Sequence, residues 1–320
     1  MMLSRTADSL YWLARYIERA DYTARILDAT LRLVALPRAY GDTNTEWESA
    51  LRSAEALDGF LQRHDAITEA AVVRHLAFDA DNPSSIVNCI EYARSNARAV
   101  RTALTTEAWE SINGAWLELK GFDGVRLDTE RVEGGDLRRI IDYAKHVALD
   151  FDGSVLRTML RSDNFWFLRL GHYIERADNT ARILDVKYHV LLPETEAVGG
   201  PLDYFQWAAI LRSVSALTAY HWVYRQSVKP WHVADLLILE SAMPRSLLSC
   251  YDNICSFLDS ISRAYGMQGP SQRHARATLT RLQNASIRDI FQGGLHEFLE
   301  GFMTENAALG DNIAKQYLIA

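Results

Sequence analysis

Apolar residues recur at steps of three and four along nearly the whole chain. In the first segment Leu13, Ile17, Ala20, Ala24, Leu27 and Leu31 fall on one side of a 3.6-residue helix, and Pro37 ends it. Reading the same period onward predicts helices over 3–36, 45–63, 68–77, 83–104, 106–119, 135–160, 163–192, 202–227, 230–240, 244–265, 271–292 and 294–318. Thr43-x-x-Glu46 and Thr45-x-x-Glu48 read as capping boxes. Asn82-Pro83 reads as an N-cap with proline at the first helical position, where its missing N–H costs nothing; Pro244 and Pro270 open later helices the same way. Loops are expected around 37–44, 121–134 and 193–201, and the polar stretch 121–134 is the candidate mobile loop. No segment carries a strand signal. The pattern predicts an all-α fold with helix over more than roughly 65% of residues, about twice the usual share.

The chain repeats itself. Residues 16–28, YIERADYTARILD, return at 173–185 as YIERADNTARILD; the only mismatch is Tyr22 against Asn179. Trp47-x-x-x-Leu51-Arg52-Ser53-x-x-Ala56-Leu57 is matched by Trp207-x-x-x-Leu211-Arg212-Ser213-x-x-Ala216-Leu217. Pro83-x-Ser85-Ile86-x-x-Cys89 is matched by Pro244-x-Ser246-Leu247-x-x-Cys250. The three blocks keep their order, and the offset drifts only from 157 to 161. The expectation is one domain over 1–320: a helical bundle of two diverged, internally duplicated halves, 1–160 and 161–320, each laying its apolar face on the other.

Composition narrows the setting. Glycine and proline supply only 24 of 320 residues, well below the roughly 12% of average proteins, which fits long helices with few turns. A net charge of −7 does not favour nucleic acid as a partner. Cys89, Cys250 and Cys255 are too few for a disulfide framework, so a reduced, cytoplasmic setting is expected. No apolar run is long enough to span a membrane, and the N-terminal stretch lacks an uninterrupted apolar core and a small-residue cleavage site, so neither membrane nor signal peptide is expected.

The repeated segment carries the candidate chemistry. At 100° per residue, Glu18, Asp21, Arg25 and Asp28 form one stripe bordering the apolar face, and Glu175, Asp178, Arg182 and Asp185 form its copy. Arg19 and Arg176 lie about a right angle away. Three acids and one arginine cannot neutralise themselves when buried. The predicted helix 83–104 offers a complement, since Glu91, Arg94, Arg98 and Arg101 share the spacing. The expectation is that Glu18 and Asp21 meet arginines, some from that helix. This is either a salt-bridge network specifying the packing or a polar pocket for an anionic ligand or a partner's charged segment.

Other chemistry is weak. A diiron-type bundle site wants Glu-x-x-His pairs, and here the spacing is Glu-x-x-Asp, so no metal is expected. Phosphate-binding, dinucleotide-binding and nucleophile motifs are absent from the sequence, and no cofactor is expected. Cys89 and Cys250 read as small buried packers, and the eight tryptophans read mostly as core or inter-helix anchors.

The opening LSRTADSLYWLARYIERADYTARIL, its echo LRLGHYIERADNTARIL, Asn82-Pro83-Ser84-Ser85-Ile86, Arg94-x-Asn96-Ala97-Arg98-x-x-Arg101 and Trp109-Glu110-x-x-Asn113 together resemble the bacterial alpha-E family over essentially the whole chain. His172 departs, standing where Arg15 stands in the first copy. The resemblance implies an all-helical domain of unassigned function, typically encoded beside or fused to an ATP-grasp ligase and a transglutaminase-like peptidase. It points to a non-catalytic accessory or binding subunit of a system that forms peptide or amide bonds. Two alternatives stay open. One is an enzyme in which Glu18 or Glu175, its pKa raised by burial, is a general base and Arg94, Arg98 and Arg101 clamp the substrate. The other is a structural scaffold assembling as a homo-oligomer.

Overall fold

Two long helices that carry the repeated segments lie against each other and form the spine. In a computed structural model, which describes residues 2–36, 45–122, 134–189 and 200–318, these are α1 (Ser4–Val34) and, later in the chain, α8 (Asp163–His189). Between them run α2 (Thr45–Ser53), α3 (Leu57–Leu61), α4 (Glu69–Ala77), α5 (Ile86–Ala99), α6 (Thr106–Leu119) and α7 (Gly134–Thr158). After α8 come α9 (Pro201–Ser213), α10 (Leu217–Tyr224), α11 (Pro230–Ile238), α12 (Leu247–Tyr265), α13 (Pro270–Asn284), α14 (Ile287–Gly293) and α15 (Leu295–Tyr317). Helix accounts for 81% of the described residues, with no strand among them. The all-α expectation holds.

Contacts step along α1 and α8 in the same sense, from Tyr11 beside Gly171 to Glu18 beside Arg176 and Asn179, so the two helices run parallel. Many of the buried residues along the two helices are small or aliphatic, including Ala14, Ile17, Ala20, Ala24, Ile174, Ala177 and Ala181. Gly171 marks the closest approach: a Cβ there would sit 2.2 Å from the Tyr11 carbonyl oxygen. Around this spine the neighbours fall into matching pairs. α5 packs on α1 and α12 on α8; α7 flanks α1 and α15 flanks α8; α2 crosses to α8 while α9 crosses to α1. The crossing helices carry Trp47 and Trp207, both buried.

Element boundaries differ from the sequence reading in instructive places. The predicted helices 45–63 and 202–227 each break once, and at the breaks Glu55 and Ser215 adopt left-handed φ of 52° and 58°. Neither is a glycine, so nothing in the sequence announces the turn. Predicted helix 271–292 also divides, at Ala285, where Ser286 caps α14. Pro83 and Pro244 do not open helices. They lie in turns, and Ser85 and Ser246 cap α5 and α12 by accepting the Asn88 and Ser249 amide hydrogens. Pro270 does occupy the first turn of α13, as expected. The expected loops 37–44 and 193–201, the centre of 121–134 and Thr43 lie outside the described residues except at their edges.

Candidate functional site

Each repeated glutamate is bound by the other repeat's arginine. Arg176 donates to Glu18 through Nε and Nη2, at 3.1 and 2.7 Å. Reciprocally, Arg19 donates to Glu175 through the same two nitrogens, at 2.7 and 3.2 Å. Arg19 and Arg176 therefore belong to the site, although helical geometry sets them off the acidic stripe. The reason is the parallel pairing: a side chain about 100° from the stripe on one helix points across the interface at the stripe of its neighbour. Both carboxylates are almost fully buried, the condition under which a fork-shaped arginine contact is required.

The two glutamates differ in their remaining partners. Glu175 also accepts from Arg15 Nε at 2.7 Å, with the Arg15 guanidinium stacked over Trp12 at 4.6 Å. Burial pushes the Glu175 carboxyl up, but Arg19 and Arg15 outweigh it and hold it down at about 2. At the matching place Glu18 has His172 Nδ1 at 3.1 Å. Burial, helped by Arg169, Arg176 and Arg245, pushes His172 well below its ordinary value, so it is neutral and brings no positive charge to Glu18. Burial raises Glu18 too, and Arg176, Arg245 and Arg25 overcome it to leave the carboxyl below its ordinary value.

One substitution between the repeats sets the next contact. Arg25 pairs with Asp21 at 2.7 Å and sends Nη1 to the Ser213 carbonyl at 2.7 Å. The matching carbonyl, Ser53, is already taken by the Tyr22 hydroxyl at 2.7 Å. Asn179, the counterpart of Tyr22, is too short for such a contact and donates to the Glu18 carbonyl instead. Arg182 pairs with Asp178 at 2.6 Å and turns to Glu55 at 2.9 Å. Arg25 is thus locked into the core, while Arg182 lines a cavity.

That cavity, about 270 Å³, opens on the Glu175–Asp178 side and is walled by Arg19, Tyr22, Ser53, Glu55, Ser84, Asp178 and Arg182 among others. A second, of about 310 Å³, lies on the other side of Arg19, Glu55, Asp178 and Arg182 and reaches Trp12, Arg15 and Asn306. On the Glu18–Asp21 side the aspartate and arginine are more deeply buried than their counterparts. There Arg245, from the turn before α12, fills the space and pairs with Asp21 at 2.7 Å. Burial raises the Asp21 carboxyl, but Arg25 and Arg245 prevail and lower it. Among the described residues Asp178 has Arg182 alone within ion-pair distance, and burial leaves its carboxyl above the ordinary value.

The rest of the expected site disperses. Asp28 is buried and pairs with Arg32 at 3.1 Å, and with Arg138 and Lys145 of α7 at 3.1 and 2.7 Å. Asp185 meets His296 of α15 at 2.7 Å. The arginine row of α5 does not reach the motif, which corrects the expected complement. Arg94 stacks on Trp116 at 3.7 Å and donates to Asn113 at 3.1 Å; Arg101 lies over Trp109; Arg98 is exposed. The face of α5 that packs on α1 carries Cys89, Ile90, Ala93 and Ala97, and the arginines occupy the rest of its surface. The cations that reach Glu18, Asp21 and Glu175 from outside the stripe, Arg15, Arg19, Arg176 and Arg245, were not in the expected set. Arg245 alone had a visible sign, a charge standing where the first half has Ser84.

Cys89 and Cys250 are fully buried, and burial pushes both thiols up to about 12, which fits packing residues. Most tryptophans anchor helices, but Trp222 is 75% exposed. Among the described residues no group of three or more His, Cys, Asp or Glu is placed to hold a metal ion, and no helix is long and apolar enough to cross a membrane.

Fold and site define the class: an all-helical domain organised around reciprocal pairing of two Glu-Arg dipeptides. The chain belongs to the Alpha-E family, described as "a predicted alpha-helical domain with a conserved ER motif", which it matches over residues 2–318. Glu18-Arg19 and Glu175-Arg176 are Glu-Arg dipeptides of this kind. Similar curated proteins include uncharacterized proteins of Mycobacterium bovis and of Mycobacterium tuberculosis strain CDC 1551, each 31% identical over 121 residues. An uncharacterized protein of Mycobacterium tuberculosis strain H37Rv is 30% identical over the same length. These matches cover 33% of this chain and only 13% of each relative. No solved structure matches.

Proposed function

We propose that this chain is a non-catalytic binding subunit of a bacterial ATP-grasp-linked system that forms peptide or amide bonds, working with the ligase and a transglutaminase-like protein. The observation that carries the reading is the asymmetry of the motif. One copy closes the core between α1 and α8; the other keeps its aspartate and arginine on the wall of a cavity of about 270 Å³. That volume lies just under the roughly 300–1,000 Å³ of small-molecule sites and suits one side chain or a molecule of amino-acid size. The ligase setting rests on family membership, and the two halves are read as diverged copies of one ancestral unit.

The lowered carboxyls of both glutamates tell against the enzyme alternative. A general base at neutral pH needs a raised carboxyl, whereas both glutamates are held below their ordinary value. Its clamp is also elsewhere, since Arg94, Arg98 and Arg101 stay on the α5 surface. One observation keeps that reading in play: Asp178 is raised and lines the cavity.

The test is reconstitution with the ATP-grasp ligase of the same genome. Ligation should be accelerated by the chain and should fall when the cavity wall is altered, as in Asp178→Asn, while the chain alone forms and cleaves no amide. Turnover by the chain alone, lost in Asp178→Asn, would establish the enzyme. Ligase activity indifferent to the chain would remove the binding-subunit reading.

A further inference from the structure

The two motif copies differ at the residue that faces the inner aspartate. Before the Ser246 cap of α12 stands Arg245, whose Nη2 is 2.7 Å from Asp21 Oδ2. Before the matching Ser85 cap of α5 stands Ser84. A serine cannot span the distance that an arginine covers, and Ser84 and Asp178 instead line the same cavity of about 270 Å³.

The wall of that cavity is charge-paired rather than basic. Its carboxylates are Glu55, Asp81, Glu175 and Asp178, and its arginines Arg19, Arg63 and Arg182. Each arginine already has a carboxylate: Glu175 at 2.7 Å from Arg19, Asp178 at 2.6 Å from Arg182, and Asp81 at 3.2 Å from Arg63. Arg15 approaches Glu175 without lining this cavity. An anion would have to displace one of these carboxylates, which argues against the anionic ligand expected from the sequence. The second half lacks the rim acids, for Ser215 and Ala242 stand at the places of Glu55 and Asp81.

A second feature points to an occupant. The Ser53 side chain is more than nine-tenths buried, lines the cavity, and its Oγ has no hydrogen-bond partner among the described residues. Its counterpart Ser213 donates to the Ile210 carbonyl at 2.8 Å. Buried hydroxyls are seldom left unpaired. A guanidinium presents several N–H donors in a planar fork and could serve a carboxylate and a hydroxyl oxygen together.

We propose that the cavity receives the guanidinium of a peptide arginine residue, seated against Asp178 as Arg245 is seated against Asp21. The protein then contains, in its closed half, an internal copy of the complex that its open half forms. This deepens the binding-subunit reading and rests on it for the peptide. Burial leaves the Asp178 carboxyl raised, as expected of an aspartate short of one cation, and an incoming guanidinium would lower it.

The experiment is calorimetric titration of the full chain with N-acetyl-arginine amide and, in parallel, with its citrulline counterpart, which keeps the shape and loses the charge. The arginine probe should saturate at millimolar concentration or below and bind at least about tenfold more tightly than the citrulline probe. Asp178→Asn should weaken it by a similar factor. Ser84→Arg, which supplies the cation from within, should abolish it while circular dichroism shows the native helix content. Equal affinity for the two probes, no saturation by the arginine probe, or full affinity in Asp178→Asn would each overturn the proposal. Asp178→Asn decides the matter if Ser84→Arg does not fold. A ligase that needs the chain while the arginine probe fails to bind would end the cation assignment alone. A probe that binds while the ligase ignores the chain would end the subunit reading alone.

Discussion

The Glu18 carboxylate on α1 is held by Arg176 on α8, and Arg19, its neighbour in sequence, is committed to Glu175. Each helix therefore supplies one acid and one base to a shared, nearly dry interface. The arrangement makes the α1–α8 contact specific in register: sliding one helix by a turn would strand two carboxylates and two guanidiniums without partners. Removing one member of a buried pair typically costs about 3–5 kcal/mol. Glu18→Gln and Arg176→Ala should each lower unfolding free energy by about that amount, read from urea titration. Their double mutant should cost much less than the sum. Additive losses would show that the two residues are not coupled.

Tyr22 decides which way Arg182 faces. Tyr22→Phe removes the hydroxyl that occupies the Ser53 carbonyl. The expected loss is about 0.5–1.5 kcal/mol, the net value of an ordinary hydrogen bond. The freed carbonyl would then accept Arg182, as Ser213 accepts Arg25. A crystal structure of Tyr22→Phe with Arg182 still on Glu55 would refute this account of the asymmetry.

The acid limb of stability should report Glu175. Its carboxyl is held at about 2 against an ordinary 4.5. A depressed carboxyl contributes its full stabilisation above the ordinary value and loses it as pH falls toward the folded one. Between about pH 4.5 and 2 this residue alone should account for roughly 3 kcal/mol. Asp178 has the opposite sign, because its raised carboxyl is relieved by protonation, and it offsets part of the loss. Glu175→Gln should flatten the stability–pH curve in that window; an unchanged slope would contradict the assignment.

Gly171→Ala places a methyl 2.2 Å from the Tyr11 carbonyl. The obstacle is backbone, so the helices must separate, and overpacking of this kind costs about 1–3 kcal/mol. Gly153, with open space around it, is the control, and Gly153→Ala should be neutral or mildly stabilising because alanine favours helix. Thermal melting of the two variants makes the comparison.

Much of the fold was legible because it rests on local signals. Three- and four-residue spacing placed the helices, and the breaks that escaped were the one at Ala285 and those at Glu55 and Ser215, where a left-handed turn is made without glycine. The site was half legible. Burial of Glu18 and Glu175 followed from their place beside the apolar face, but their partners did not. A helical wheel treats one helix in isolation, and it rated Arg19 and Arg176 as remote when the parallel packing of α1 on α8 makes them the nearest cations. The same wheel favoured Arg94, Arg98 and Arg101, whose spacing copies the motif but whose side of α5 looks toward Trp109, Trp116 and solvent.

The exchange also has a consequence in time. The residues that pair Glu18 with Arg176 are 158 apart in the chain. At roughly 5–20 residues per second of synthesis, α1 waits on the order of 8–30 s before its glutamate's partner exists. Throughout that interval Glu18 has to stay hydrated, and the first half can lay α5 and α7 on α1 but leaves open the face that α8 covers. Closure of the spine therefore belongs to the last stage of folding, after α8 has left the ribosome, and a chain arrested before Arg176 would expose the face that the finished protein hides.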